Sequence, residues 1–144
     1  MLVVLSLSTG CRRGELARLT WNTVDLAKGT LTFLDTKNDT NRTVPVTGLA
    51  LELLRGKPQK PGKLFVRNWR KAFETAVKRA GLIDLHWHDL RHSAASYLAM
   101  SGASMLTIAT VLGHKSLSMV QRYSHLDNQH LTTALGRMTA NLFP

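Results

Sequence analysis

The sequence predicts an α+β domain, mainly α-helical with one small antiparallel β-meander. Three observations predict it. The chain has 144 residues, 44% of them apolar, which suits one domain with a real core. Between Val24 and Thr47, β-forming residues alternate with polar turns. On either side, apolar residues recur at helical spacing, punctuated by Gly, Ser, Thr and Asp where helices start and stop. No internal repeat or low-complexity tract interrupts this pattern.

Taken in order, Met1 to Leu7 resemble the tail of a buried helix. Arg13 to Thr20 form a short helix with Leu16 and Leu19 on one face. Ala27-Lys28-Gly29 is a turn, Thr30 to Thr36 a strand, Lys37 to Asn41 a polar turn, and Arg42 to Val46 a second alternating strand. Thr47 caps a helix through Leu54, and Arg55 to Lys63 is a basic loop with two prolines. Arg67 to Ala80 carries Trp69, Phe73, Ala76, Val77 and Ala80 at helical spacing, and Gly81 stops it. His88 to Ser101 is a helix ending at Gly102. Ser104 caps one that ends at Gly113, Ser116 caps one running to about Tyr123, and Asp127 caps a last one through Met138.

Nineteen Lys or Arg against nine Asp or Glu give a formal charge of +10. The apolar fraction excludes a disordered basic tail. The charge favours a polyanionic partner, nucleic acid first; an anionic membrane surface ranks lower, because no long basic amphipathic helix stands out. The single cysteine, Cys11, excludes an internal disulfide and suits a reducing compartment. Met1 to Ser8 lack a basic leader, and no apolar run reaches spanning length, so the expectation is a soluble intracellular protein. The abrupt apolar start suggests a chain that begins inside a larger unit.

Four segments concentrate the chemistry: Thr9-Gly10-Cys11-Arg12-Arg13-Gly14-Glu15-Leu16, Thr36-Lys37-Asn38, His88-Asp89-Leu90-Arg91, and Leu112-Gly113-His114 followed by Arg122-Tyr123-Ser124-His125. Each alone reads as a solvated charge or a helix rim. Together, in this order, they resemble the tyrosine recombinase (phage integrase) family, from about residue 5 to residue 125. The resemblance implies that family's catalytic-domain fold and a catalytic set of Arg12, Lys37, His88, Arg91, His114 and Tyr123. It further implies one catalytic domain over residues 1–144, lacking part of its N-terminus and the family's separate core-binding domain.

The same resemblance implies a DNA strand transferase that forms a 3′-phosphotyrosyl link and releases a 5′-hydroxyl. A phenol with a pKa near ~10 needs a proton acceptor. The resemblance implies His88 for that role, with Arg12 and Arg91 clamping the phosphate oxygens, His114 adding a hydrogen bond, and Lys37 protonating the leaving oxygen. No metal, ATP or other cofactor is implied. The implied partners are double-stranded DNA and further copies of the chain, a tetramer in synapsis; residues 127–144 either dock on a neighbouring copy, as the resemblance suggests, or fold back on their own chain. The implied location is the nucleoid of a bacterial cytoplasm.

Other residues stay open. Glu15 either orients an arginine or pairs at the surface, and Asp89 either orients Arg91 or caps its helix. Arg67, Arg70, Lys71 and Lys63 are the candidate phosphate contacts. Zinc ligation by His86, His88 and His92 is disfavoured, since no His-Glu-x-x-His occurs; His86 and His92 suit helix rims. Trp21, Trp69 and Trp87 suit the core, and Cys11 a buried, inert place. A type IB topoisomerase-like relaxing activity and a DNA-binding remnant are the alternative functions.

Overall fold

Among the described residues, a three-stranded sheet sits with seven α-helices. The structure, a computed structural model, describes residues 1–34, 41–65, 69–126 and 128–142, without the side chains at 125, 126, 128–132, 134 and 137. The order is α1 (Leu2–Thr9), α2 (Arg13–Arg18), a 3-10 turn (Trp21–Thr23), β1 (Val24–Asp25), β2 (Thr30–Phe33), β3 (Arg42–Pro45), α3 (Gly48–Arg55) and α4 (Trp69–Arg79). There follow α5 (Trp87–Met100), α6 (Met105–Leu112), two 3-10 segments (Leu117–Met119 and Gln121–Leu126) and α7 (Asn128–Leu142). This is the expected α+β class.

The meander is antiparallel in the order β1-β2-β3. Leu31 pairs with Val44, and Phe33 with Arg42. Strand alternation turns Leu31, Phe33, Val44 and Val46 inward, where all four are buried. Thr32 and Thr43 join hydroxyls at 3.0 Å on the other face. The inner face packs on Leu5 of α1, Leu16 of α2 and Ala50 and Leu54 of α3. A second core joins Ala95 and Ala99 of α5, Ile108, Ala109 and Leu112 of α6, and Val120 and Tyr123 of the 3-10 segments. Helix α1 runs along α5 and ties the two cores together.

Several boundaries differ from the expectation for physical reasons. Helix α2 ends at Arg18 because the chain turns extended: the Leu19 carbonyl accepts from Leu64 N at 2.8 Å, and Thr20 bridges to Lys63. The α-helix expected from Ser116 to Tyr123 is instead two 3-10 segments. Val120 and Tyr123, three residues apart, are both buried, and Tyr123 N bonds the Val120 carbonyl at 2.9 Å. Three residues per turn keeps such a pair on one face. Ser104 caps α6 as expected, accepting from Thr107 N at 3.1 Å. On α4, Trp69 and Phe73 are half-buried against Trp87, with ring centroids at 4.6 Å, while Ala76 and Ala80 are exposed. The expected capping residue Asp127 lies outside the described residues.

Candidate active site

The site begins where α1 stops. Gly10 closes α1 in the left-handed conformation, φ 59°, and a Cβ there would overlap the Leu112 side chain. Glycine lets the chain pass over α6 and aim the Gly10 carbonyl inward. Arg91 Nη1 donates to that carbonyl at 2.7 Å. The residue is 4% exposed, and its Nη2 is buried without a partner among the described residues. Burial, then the charge of Arg12, lowers its pKa to about 10, so it remains a cation at neutral pH. A fixed guanidinium with a spare donor is a ready site for an anionic oxygen.

Arg12 opens α2 two residues after Gly10. The buried Glu15 carboxylate accepts from Arg12 N at 2.6 Å and from Arg12 Nη1 at 3.2 Å. Of the two roles open to Glu15, the geometry is the orienting one. Arg42, which sequence reasoning missed, completes this network. It opens β3 at an inward position, lies over the Phe33 ring at 4.3 Å, and donates to Glu15 Oε2 at 2.7 Å and to the Val111 carbonyl. Its burial follows from strand alternation, but its partners come from 27 and 69 residues away. No local pattern announces them.

Arg42 also explains the second motif glycine. Gly113 ends α6 at φ 67°, and a Cβ there would lie 2.6 Å from Arg42 Cδ. The turn delivers His114, whose Nδ1 is buried and unpartnered among the described residues. Burial lowers its pKa to about 4, helped by Arg91, Arg12, Arg122 and Arg42, so it is neutral at pH 7.

Helix α5 supplies His88, Arg91 and His92. The Asp89 carboxylate accepts from His86 N at 2.6 Å and so caps α5, the second of its two expected roles. His88 has a lowered pKa, first from partial burial and then from His92, Arg91 and Arg12. The ring of His92 stands edge-to-face on that of His88 at 4.8 Å. Tyr123 is 7% exposed, and its hydroxyl lies 2.7 Å from His92 Nδ1. Burial raises the phenol's pKa, against the opposing pull of Arg122 and Arg91. Sequence reasoning places His92 on a helix rim; the structure places it against the tyrosine. The available signal was its position four residues after His88, one turn along the same face.

Of the expected residues, Arg12, Arg91, His88, His114 and Tyr123 thus come together, the other four within electrostatic reach of Arg91. Lys37 lies outside the described residues, as does Arg67. Arg70 is exposed and pairs with Glu74 at 2.9 Å, and Lys71 and Lys63 are exposed. Cys11 is buried, and burial raises its pKa. Among the described residues, no three His, Cys, Asp or Glu side chains gather as metal ligands, and no helix is long and apolar enough to cross a membrane.

Comparison with known proteins decides the family. The family model described as "Phage integrase family" matches residues 1–130. The chain belongs to the phage integrase family. This integrase-family chain is 35% identical over 136 residues to the shufflon-specific DNA recombinase of Escherichia coli, covering 91% of the chain and 35% of that protein. Its fold matches the catalytic domain of bacteriophage HP1 integrase with a TM-score of 0.80 and 37% identity, covering 94% of this chain and 79% of that one. XerH recombinase, solved bound to its difH substrate after cleavage, matches with a TM-score of 0.72 and 26% identity, over 93% of this chain and 44% of that one. The chain spans between about a third and a half of the length of the curated relatives it matches.

Proposed function

We propose that this integrase-family domain breaks and rejoins double-stranded DNA through a covalent bond between Tyr123 and a 3′-phosphate, as the catalytic part of a site-specific recombinase. The observation that carries the reading is Arg91: a buried guanidinium, anchored on the Gly10 carbonyl, with an unused donor in a site shared with Arg12, His114 and Tyr123. A scissile phosphate supplies the missing acceptor. Arg91 and Arg12 then hold its non-bridging oxygens, which gain charge as the phenol attacks. His114, kept neutral, adds a donor without adding a charge.

An imidazole of the α5 pair His88–His92 takes up the phenolic proton, the role the resemblance assigns to His88, and Lys37 donates one to the departing 5′-oxygen. The phosphotyrosyl bond keeps the energy of the broken link for rejoining, so the cycle calls for no ATP or metal ion. Arg67, Arg70, Lys71 and Lys63 serve the flanking backbone, and binding weakens steeply with salt. Residues 127–144 join copies on DNA; the exposed Leu135, Met138 and Leu142 of α7 support this. The domain works on the nucleoid in a bacterial cytoplasm.

The test is a pool of nicked duplexes with randomised sequence around the nick, from which covalent protein–DNA adducts are recovered and sequenced. The wild-type chain yields adducts, and Tyr123→Phe lowers their yield by at least ~10³-fold without loss of binding. Binding with no adduct from wild type would leave only a DNA-holding module.

A further inference from the structure

Within the imidazole pair, the two rings stand differently toward the nucleophile. Tyr123 Oη and His92 Nδ1 are 2.7 Å apart, inside the range a general base needs. Among the described residues no hydrogen bond joins Tyr123 to His88, whose contact is with the His92 ring at 4.8 Å. Water is a poor competitor for the proton, because Tyr123 is 7% exposed. We infer that His92, through Nδ1, is the group that takes the proton from the Tyr123 hydroxyl during cleavage and returns it on rejoining. The inference rests on the recombinase reading above and deepens it.

The step balances. As Tyr123 Oη bonds phosphorus, the phenolic proton moves to His92 Nδ1 and the bond from phosphorus to the 5′-oxygen breaks, that oxygen taking a proton from Lys37. In the return step the 5′-hydroxyl attacks phosphorus and gives its proton back to Lys37. The imidazolium at His92 reprotonates the leaving phenolate. For Nδ1 to accept, His92 must carry its other proton on Nε2. The imidazolium forms next to Arg91 on the same helix, at the moment the phosphate oxygens gain negative charge. That charge offsets the crowding of cations. Helix geometry makes the arrangement possible: residues 88, 91 and 92 fall on one face, so one turn of α5 presents both the clamp and the base.

Two variants separate proton transfer from mere positioning. Asparagine places a hydrogen-bonding atom near the position of Nδ1 but has no basicity, so His92→Asn should keep Tyr123 in place and lower the rate of adduct formation ~10²–10³-fold. His92→Ala should be equally slow, and free imidazole should restore at least ~10-fold. The substrate is the adduct-forming nicked duplex recovered from the pool. The tyrosine ¹³Cζ resonances of the DNA-free protein supply a readout independent of activity, with exposed Tyr97 as reference. The Tyr123 signal should shift in His92→Ala and hold in His88→Ala. A His92→Asn rate within threefold of wild type, or a His92→Ala rate that imidazole leaves unchanged, overturns the inference while leaving the recombinase reading intact. So does a Tyr123 resonance indifferent to His92→Ala. Absence of adduct from the wild-type chain instead removes the recombinase reading itself, and the inference with it.

Discussion

Arg91 and Tyr123 face the same site but are held there by different means. Arg91 is bonded to a backbone carbonyl 81 residues away and buried, while its neighbour Arg12 leans on Glu15, which Arg42 holds in turn. Tyr123 rides on a 3-10 segment in which, among the described residues, only Val120 just before it and Tyr123 itself are buried. Among the described residues, one hydrogen bond, to His92, fixes its hydroxyl. On the recombinase reading proposed above, the difference follows from what each half must do. Donors that meet a developing charge gain most when aimed beforehand, because reorientation would cost part of the stabilisation. A nucleophile must form and break a covalent bond, and an exchangeable hydrogen bond lets go where a buried network would not.

The comparison breaks first at Arg91. In Arg91→Lys the charge stays, but an ammonium cannot bond the Gly10 carbonyl and also present a planar pair of donors to phosphate. Adduct formation on nicked duplexes should fall ~10²–10³-fold, about 3–4 kcal/mol, with the fold retained by circular dichroism. A lysine variant within tenfold of wild type would mean that charge suffices and that the anchoring of the clamp is incidental.

Two glycines sharpen the contrast next. Gly113→Ala places a methyl 2.6 Å from Arg42 Cδ at a positive φ, and Arg42 is tied to Glu15 and Val111 and has nowhere to retreat. Urea unfolding should show a loss of about 2–3 kcal/mol. Gly136 lies in α7, where an added methyl group would meet nothing within 4 Å, so Gly136→Ala should gain about 0.5–1 kcal/mol of helix stability. Equal effects at the two positions would erase the distinction between the halves.

A smaller change probes the tyrosine half directly. Val120 is fully buried, and Val120→Ala removes apolar contact from beneath the 3-10 segment. The expected cost is about 1–2 kcal/mol, with faster amide exchange at residues 121–126 than in α5. Uniform exchange across both regions would show the segment to be as firmly seated as the clamp.

The sequence carries the fold class and the meander because these rest on local signals: period-two alternation, Gly stops and Ser104 as a cap. The five described candidate site positions are legible only through the family resemblance, in the order of motifs spread along the chain. What the sequence does not carry depends on distant pairing. Arg42 reads as one more charge at the start of a strand until its neighbours arrive from α2 and α6. His92 reads as a helix-rim residue until the 3-10 segment brings Tyr123 against it. The segment itself reads as an α-helix, since Ser116 is an ordinary cap; the choice of a three-residue turn comes from packing Val120 and Tyr123 into one core, which local propensity does not register.

The last consequence concerns pH. In the folded chain His114 has a pKa of about 4, lowered first by burial and then by four arginines. An unfolded histidine has a pKa near ~6.5. The unfolded state therefore binds a proton in a range where the folded state does not, and stability present above about pH 6.5 falls as pH drops toward 4. His88, also lowered, adds a contribution of the same sign. His114 is partly exposed, so solvent screening reduces the effect well below the full shift, to about 1 kcal/mol. Urea unfolding at pH 7 and pH 5 should show a loss larger in wild type than in His114→Gln by that amount. Inorganic phosphate should narrow the gap, since an anion beside Arg91 and Arg12 offsets the charges that disfavour a protonated His114. If His114→Gln and wild type lose stability in parallel, His114 is not held neutral by burial and the arginines around it.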